Sequence, residues 1–357
     1  MTRLTLIVLF LGYIISLTSL SGCHETSKRG EKYGGTLRIN ANDVPDIIFP
    51  GQVLKTSEHI IILQIYSGLV KYNTRTFDIE PSLAKNWKII DNGLTYRFTL
   101  QPNAFFQDDP CFKNGKGRKI VASDIKYSIE KICHLHLLSQ HEFSNQIINI
   151  VGAEVLSNSH IFDKNITFSG IQVINDSVVE FKLTKADDLF LHFLAGTNSL
   201  IFAKESFDAY GYKSLVGSGA YSFKYAEIKG QAITMIANPS YFAMNRQKEK
   251  LPFIDTIIVS FITSPPKELQ LFEMGLLDMA LNVNEEYVSS FLDKHINQFQ
   301  SDPPYYIMKQ TTDTINHINI SFIRSNLQGL NLNSHGYFDF TELFFKEPTN
   351  QHIKMGN

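Results

Sequence analysis

The sequence predicts a mixed α/β fold. Three observations predict it: period-two alternation in several short segments, turn residues between them, and a few interspersed segments of helical period. "GGTLRIN" alternates into a first strand and runs into the polar loop "ANDVPDIIFPG". "SEHIIILQIYSGLV" has helical length, with Ser57 as its cap and an end at Gly68. In "AKNWKIIDNGLTYRFTLQPN" the residues Leu94, Tyr96, Phe98 and Leu100 share one face, and Asp91-Asn92-Gly93 supplies the turn of a hairpin. "ASDIKYSIEKIC" starts at Ser123, puts Asp124 on the positive helix end, and repeats apolar residues at Ile125, Ile129 and Ile132. "GIQVINDSVVEFKLT" is a second hairpin, and "YSFKYAEIKGQAITMIANPSYF" two further strands joined through Lys229-Gly230. "TIIVSFIT" reads as a buried strand, "PPKELQLFEMG" as a short helix with proline at its start and Gly275 at its end, and "LLDMALN" as a strand. No segment repeats at a fixed period.

The first residues carry an address. Arg3 supplies a positive charge, Leu4 to Leu20 is apolar with hydroxyl interruptions, and Ser21 and Gly22 lead to Cys23. Charge, apolar core and small-residue cleavage site, in that order, describe a secretory signal over residues 1–22. As a membrane span the segment would sit at the short limit for crossing a bilayer. Leu20-Ser21-Gly22-Cys23 resembles the lipobox of bacterial lipoproteins, which implies that Cys23 becomes the lipid-bearing N-terminus. Residues 23–35 then read as a polar tether, and the protein as lipid-anchored to a bacterial membrane.

Removing the signal leaves 335 of 357 residues, long for one core and suited to two lobes. Hydrophobic content of 43% and aromatic content of 12% support a large interior. A net charge of −2 removes the electrostatic case for nucleic acid, which needs a concentrated excess of Lys and Arg. Export places Cys111 and Cys133 in an oxidising compartment, where a single disulfide between them is expected. Two buried free thiols remain the alternative, because sequence does not set the Cα separation.

Enzyme signatures are thin, and the chain reads as a non-enzyme without cofactor or metal. Ser-x-x-Lys occurs three times, at Ser82–Lys85, Ser128–Lys131 and Ser264–Lys267, without the companion motifs of a serine acyl-transfer site. Gly217-Ser218-Gly219 lacks a third glycine and precedes a strand, which rules out a dinucleotide loop. In "CHLHLLSQH" a helix would hold His134 and His141 about 10 Å apart along its axis, too far for one ion.

Taken in order, "GGTLRINANDVPDIIFP", "QIYSGLVKYN", "IEPSLAKNWKIIDNGLTYRFTLQPNAFFQDD", "VASDIKYSIEKI", "VGSGAYSFKYAEIKGQAITMIANPSYF" and "ELQLFEMGLLDMAL" resemble the bacterial family 5 extracellular solute-binding proteins. The matching motifs are Gly34–Leu37, Tyr66–Leu69, Pro81–Trp87, Asp91–Leu100, Ala122–Ile125 and Gly217–Tyr221. The resemblance implies a two-lobed type II periplasmic-binding fold and the work of an ABC importer's substrate-binding lipoprotein. It would capture peptides or a similar small solute for the permease and ATPase subunits. It further implies a first lobe over residues 36–262 with an inserted subdomain at about 67–170. A shortened second lobe would occupy 263–310, a return segment to the first lobe 311–347, and a tail 348–357. Family members are longer, and the missing length belongs to the second lobe. A truncated, non-transporting relative that binds a partner at the surface is the alternative. Asn40, Asn42 and Asp43 follow the first strand, where ligands meet open α/β sheets, and are candidate ligand contacts. Gly217 and Gly219, with Tyr221 beside them, are candidates for close backbone approach to a ligand, or else for an ordinary loop or a tight crossing between lobes.

Overall fold

Leu37 and Ile39 occupy alternate positions of the first strand, and in the computed structural model both are fully buried within β1 (Thr36–Asn40). The structure describes residues 30–136, 144–153, 167–226, 231–283, 285–295, 305–311, 318–330 and 339–346. Cys23, the signal and most of the tether lie outside the described residues, as does the turn at Lys229-Gly230. So does His141, and nothing is described of the side chains of His134 and His136.

Three sheets organise the chain. In the first, β1 pairs parallel with β10 (Thr256–Ser260), followed by β9 (Ala232–Ala237) and β8 (Tyr221–Ala226) in antiparallel order. Helix α1 (Thr56–Ile65) buries Ile60, Ile61, Ile62 and Ile65 in the core of this sheet. Its cap differs from the expected one. Ser57 lies inside the helix, and its amide donates to Asp43 Oδ1 at 3.1 Å. The buried Glu58 carboxylate accepts from the amides of Asp46, Ile47, Leu54 and Lys55, so one side chain satisfies the helix entrance and the loop before it.

The second sheet runs β4–β5–β7–β6, from β4 (Ala84–Ile90), β5 (Thr95–Leu100), β7 (Val178–Lys182) and β6 (Ile171–Asn175). The hairpin reading holds: Tyr96, Phe98 and Leu100 are buried, while Leu94, one residue before the strand, is 37% exposed. Helix α2 (Ala122–His136) lies on this sheet with Ile125, Ile129 and Cys133 in its core. It begins at Ala122, and Asp124 caps it by accepting from the Val121 amide at 2.9 Å. The sheet ends at Lys182, and its core draws on residues from Leu69 to Val216, including Ile147 of α3 (Ser144–Ile148) and α4 (Phe190–Ala195), with α5 (Lys204–Tyr210) following. β6 and β7, which lie beyond residue 170, complete the sheet that the first hairpin begins.

The expected disulfide does not form; Cys111 and Cys133 are both free. Cys111 lies in a loop that Arg118 clamps to the first turn of α2 through Asp124. Cys133 lies nine residues beyond Asp124 on α2, about 13.5 Å along the helix axis, and is fully buried, whereas Cys111 is only partly buried.

The third sheet, β11–β13–β12, joins β11 (Met279–Val283), β13 (Ile318–Arg324) and β12 (Tyr305–Thr311), with α6 (Pro265–Glu273) and α7 (Glu285–His295) beside it. Its strands alternate between two cores. Met279, Leu281 and Ile323 belong to the core of the first sheet; Ala280, Phe322 and Tyr305 join Phe272 and Phe291 in a separate cluster. The second lobe is thus packed by one face onto the first. β13 is the middle strand of this third sheet, and beyond Arg324 β14 (Leu327–Gln328) pairs with β15 (Phe344–Phe345).

Candidate functional site

The parallel pairing of β1 and β10 brings two loops together at their carboxyl ends, the place where open α/β sheets hold ligands. Here the chain also passes to α6 and the third sheet. Asn40 is 1% exposed and locks the junction. Its Oδ1 accepts from the Ile262 amide at 2.7 Å, and its Nδ2 donates to the Ile262 carbonyl and to Asn42 Oδ1, each at 2.9 Å. Asp278 makes the second tie: its Oδ2 accepts from the Arg38 amide at 2.7 Å, and its own amide donates to the Arg38 carbonyl at 2.8 Å. Burial raises the Glu268 carboxyl on α6 to about 7, against weaker opposing contacts from Asn40 and the Leu281 amide.

The sequence candidates divide. Asn40, Asn42 and Asp43 are together at this junction, but Asn40 is committed to backbone pairing and Asp43 to the entrance of α1. The other three belong to a crossing against the end of α1. A Cβ on Gly217 would stand 2.2 Å from the Ile65 carbonyl oxygen, and one on Gly219 2.3 Å from that of Gln64. The Gly219 amide donates to the Ile65 carbonyl at 2.8 Å, and Gln107 Nε2 reaches the Tyr221 carbonyl at 2.7 Å. Tyr221 is fully buried, its hydroxyl without a partner among the described residues and its pKa raised by burial. These glycines pack closely against the backbone at the end of α1, a crossing beside the first sheet and not the expected one between lobes. Among the described residues no three His, Cys, Asp or Glu side chains converge as metal ligands.

Sequence reasoning missed a cleft. About 650 Å³ opens between the hairpin β2 (Val70–Tyr72)–β3 (Ile79–Pro81), the loop at 241–247 and the return segment at 339–342. Its floor carries Lys71 Nζ and Asp339 Oδ2 at 3.0 Å, residues 268 apart in sequence, and no local pattern announces their meeting. Asp339 holds the Lys71 ammonium well above its ordinary pKa. Burial pushes the Asp339 carboxyl up, but Lys71 and the Thr341 hydroxyl outweigh it and bring it below the usual range.

A layered α/β frame whose candidate ligand loops sit where the chain crosses between two sheets is that of a periplasmic-type solute-binding protein. The chain belongs to that class through a particular family: the model described as "Bacterial extracellular solute-binding proteins, family 5 Middle" matches residues 78–340. Heme-binding protein A of Haemophilus influenzae is 23% identical over 295 residues, covering 80% of this chain and 47% of that one. The fold matches DppA of Helicobacter pylori, solved with the peptide STSA, with a TM-score of 0.60 at 21% identity over 79% of this chain and 51% of that one. It also matches the murein tripeptide binding protein MppA of Escherichia coli, with a TM-score of 0.62 at 18% identity over 77% and 50%. The chain spans about half the length of these relatives. They are binding proteins, not enzymes.

Proposed function

We propose that the chain captures peptides or a similar small solute in the cell envelope for an ABC-type importer, held to a bacterial membrane by lipid on Cys23. The family match over residues 78–340 carries this reading, and relatives named for peptide binding favour peptides. Ligand would meet the junction at Asn42 and the loop beyond it, where Val44 and Leu54 are exposed by 47% and 73%. Because the third sheet offers three strands among the described residues and is packed on the first core, the ligand is held from one side. One-sided contact gives up much of the surface that small-molecule sites bury. Affinity is therefore expected in the high micromolar range, about 5 kcal/mol. Isothermal titration against di- to pentapeptides tests this. Submicromolar binding overturns the one-sided site, and silence at millimolar peptide overturns peptide capture. Cys23→Ser is expected to abolish acyl labelling and to release the protein from the membrane fraction; unchanged labelling ends the anchor reading.

A further inference from the structure

The cleft floored by Lys71 and Asp339 shares no lining residue with the junction at Asn40–Asp43. Its inner end, about 50 Å³, is bounded by that ion pair, Ser82, Tyr241 and Thr341. Asp339 Oδ1 is committed to Thr341, whose amide and hydroxyl donate to it at 2.9 and 2.6 Å. Oδ2 faces Lys71 alone among the described residues. Both charged side chains keep part of their surface open, 35% for Lys71 and 25% for Asp339. Tyr241 and Ser82 are 9% and 8% exposed and line the same space, so both can present a hydroxyl to it. Each hydroxyl can donate and accept, so a ligand's charged groups would find hydrogen bonds beside the ion pair.

The outer walls balance in charge: Arg75 and Arg246 face Glu80 and Glu342. With the floor pair included, the lining is neutral. A ligand with net charge has no counter-charge here, whereas a compact dipole has one at each end. Because the floor ammonium and carboxylate stand only 3.0 Å apart, the matching ligand carries its two charges on neighbouring atoms, not at the ends of a peptide. We propose that this cleft is a second binding site, for a free α-amino acid with a polar side chain. Its carboxylate would meet Lys71 and the Tyr241 hydroxyl, and its ammonium Asp339 and Ser82. The side chain would extend among the amides of Gln101 and Gln247 in the outer cleft. This site stands independently of the peptide reading.

The probe is L-glutamine, titrated calorimetrically into the full chain, with N-acetyl-L-glutamine and L-glutaminamide as analogues lacking one charge each. Glutamine is expected to bind with one-to-one stoichiometry, and either analogue about tenfold or more weaker. Tyr241→Phe and Ser82→Ala leave the ion pair in place and are each expected to weaken glutamine binding about fivefold without changing the unliganded melting temperature. Asn42→Ala is expected to leave glutamine binding unchanged. Absence of binding at about 10 mM, equal binding of the blocked analogues, or loss in Asn42→Ala with retention in Tyr241→Phe each overturns the proposal. None of these outcomes bears on peptide capture at the junction.

Discussion

Replacing Gly219 by alanine separates a packing role from a ligand role. The new methyl would stand 2.3 Å from the Gln64 carbonyl oxygen and 2.6 Å from the Ile65 carbonyl carbon. Both are backbone atoms at the end of α1, so no side chain can swing aside. Overpacking of this kind costs about 1–3 kcal/mol. Moving the strand away to make room also strains the bond from the Gly219 amide to Ile65 and the one from Asn238 Nδ2 to the Gly219 carbonyl, each worth about 1 kcal/mol. The sum is about 3–5 kcal/mol, a large share of the 5–15 kcal/mol that holds typical domains. Urea denaturation followed by fluorescence measures it, with a lower midpoint at unchanged slope expected. Gly115→Ala is the control: its φ is +68° and nothing lies within 4 Å, so only the left-handed backbone penalty of about 1 kcal/mol remains. If Gly219→Ala costs no more than the control, the crossing is loose and the glycine has been misread.

Glu268→Gln is expected to remove a pH dependence. The native carboxyl titrates at about 7 against 4.5 for the free group, so the folded state binds the proton more tightly. Stability from this group is complete below pH 4.5 and is lost as pH rises through 7, by as much as about 3 kcal/mol. Melting curves of the wild type should fall across that window relative to the variant; parallel curves refute the buried carboxyl. Thiol titration of the denatured, unreduced protein is expected to find both Cys111 and Cys133 reactive, and a bridge would show that the loop reaches the third turn of α2.

The hairpins were legible because alternation and turn chemistry are local: Tyr96, Phe98 and Leu100 point inward as their spacing requires. Helix α2 was legible through the spacing of Ile125 and Ile129. The ligand residues were less so. Asn40, Asn42 and Asp43 are a polar cluster, but whether a polar group faces solute or backbone depends on partners far along the chain. For Asn40 that partner is Ile262, and for Asp43 it is Ser57. The glycines signalled close approach correctly without saying to what. Lys71 and Asp339 carried no signal, since a lysine before a tyrosine and an aspartate between phenylalanines are unremarkable until the fold joins them.

The third sheet has one face in the core of the first, through Met279, Leu281 and Ile323. A two-jawed binding protein slows ligand escape by swinging shut, and the swing needs a solvent-filled gap between its jaws. Here Met279, Leu281 and Ile323 share a core with the first sheet, so swinging the third sheet away would mean breaking hydrophobic contacts. On the proposed reading, exchange of solute at the junction would be governed by contact chemistry alone, with residence times set by the depth of the one face. The molecule should scatter X-rays with the same radius of gyration whether loaded or empty.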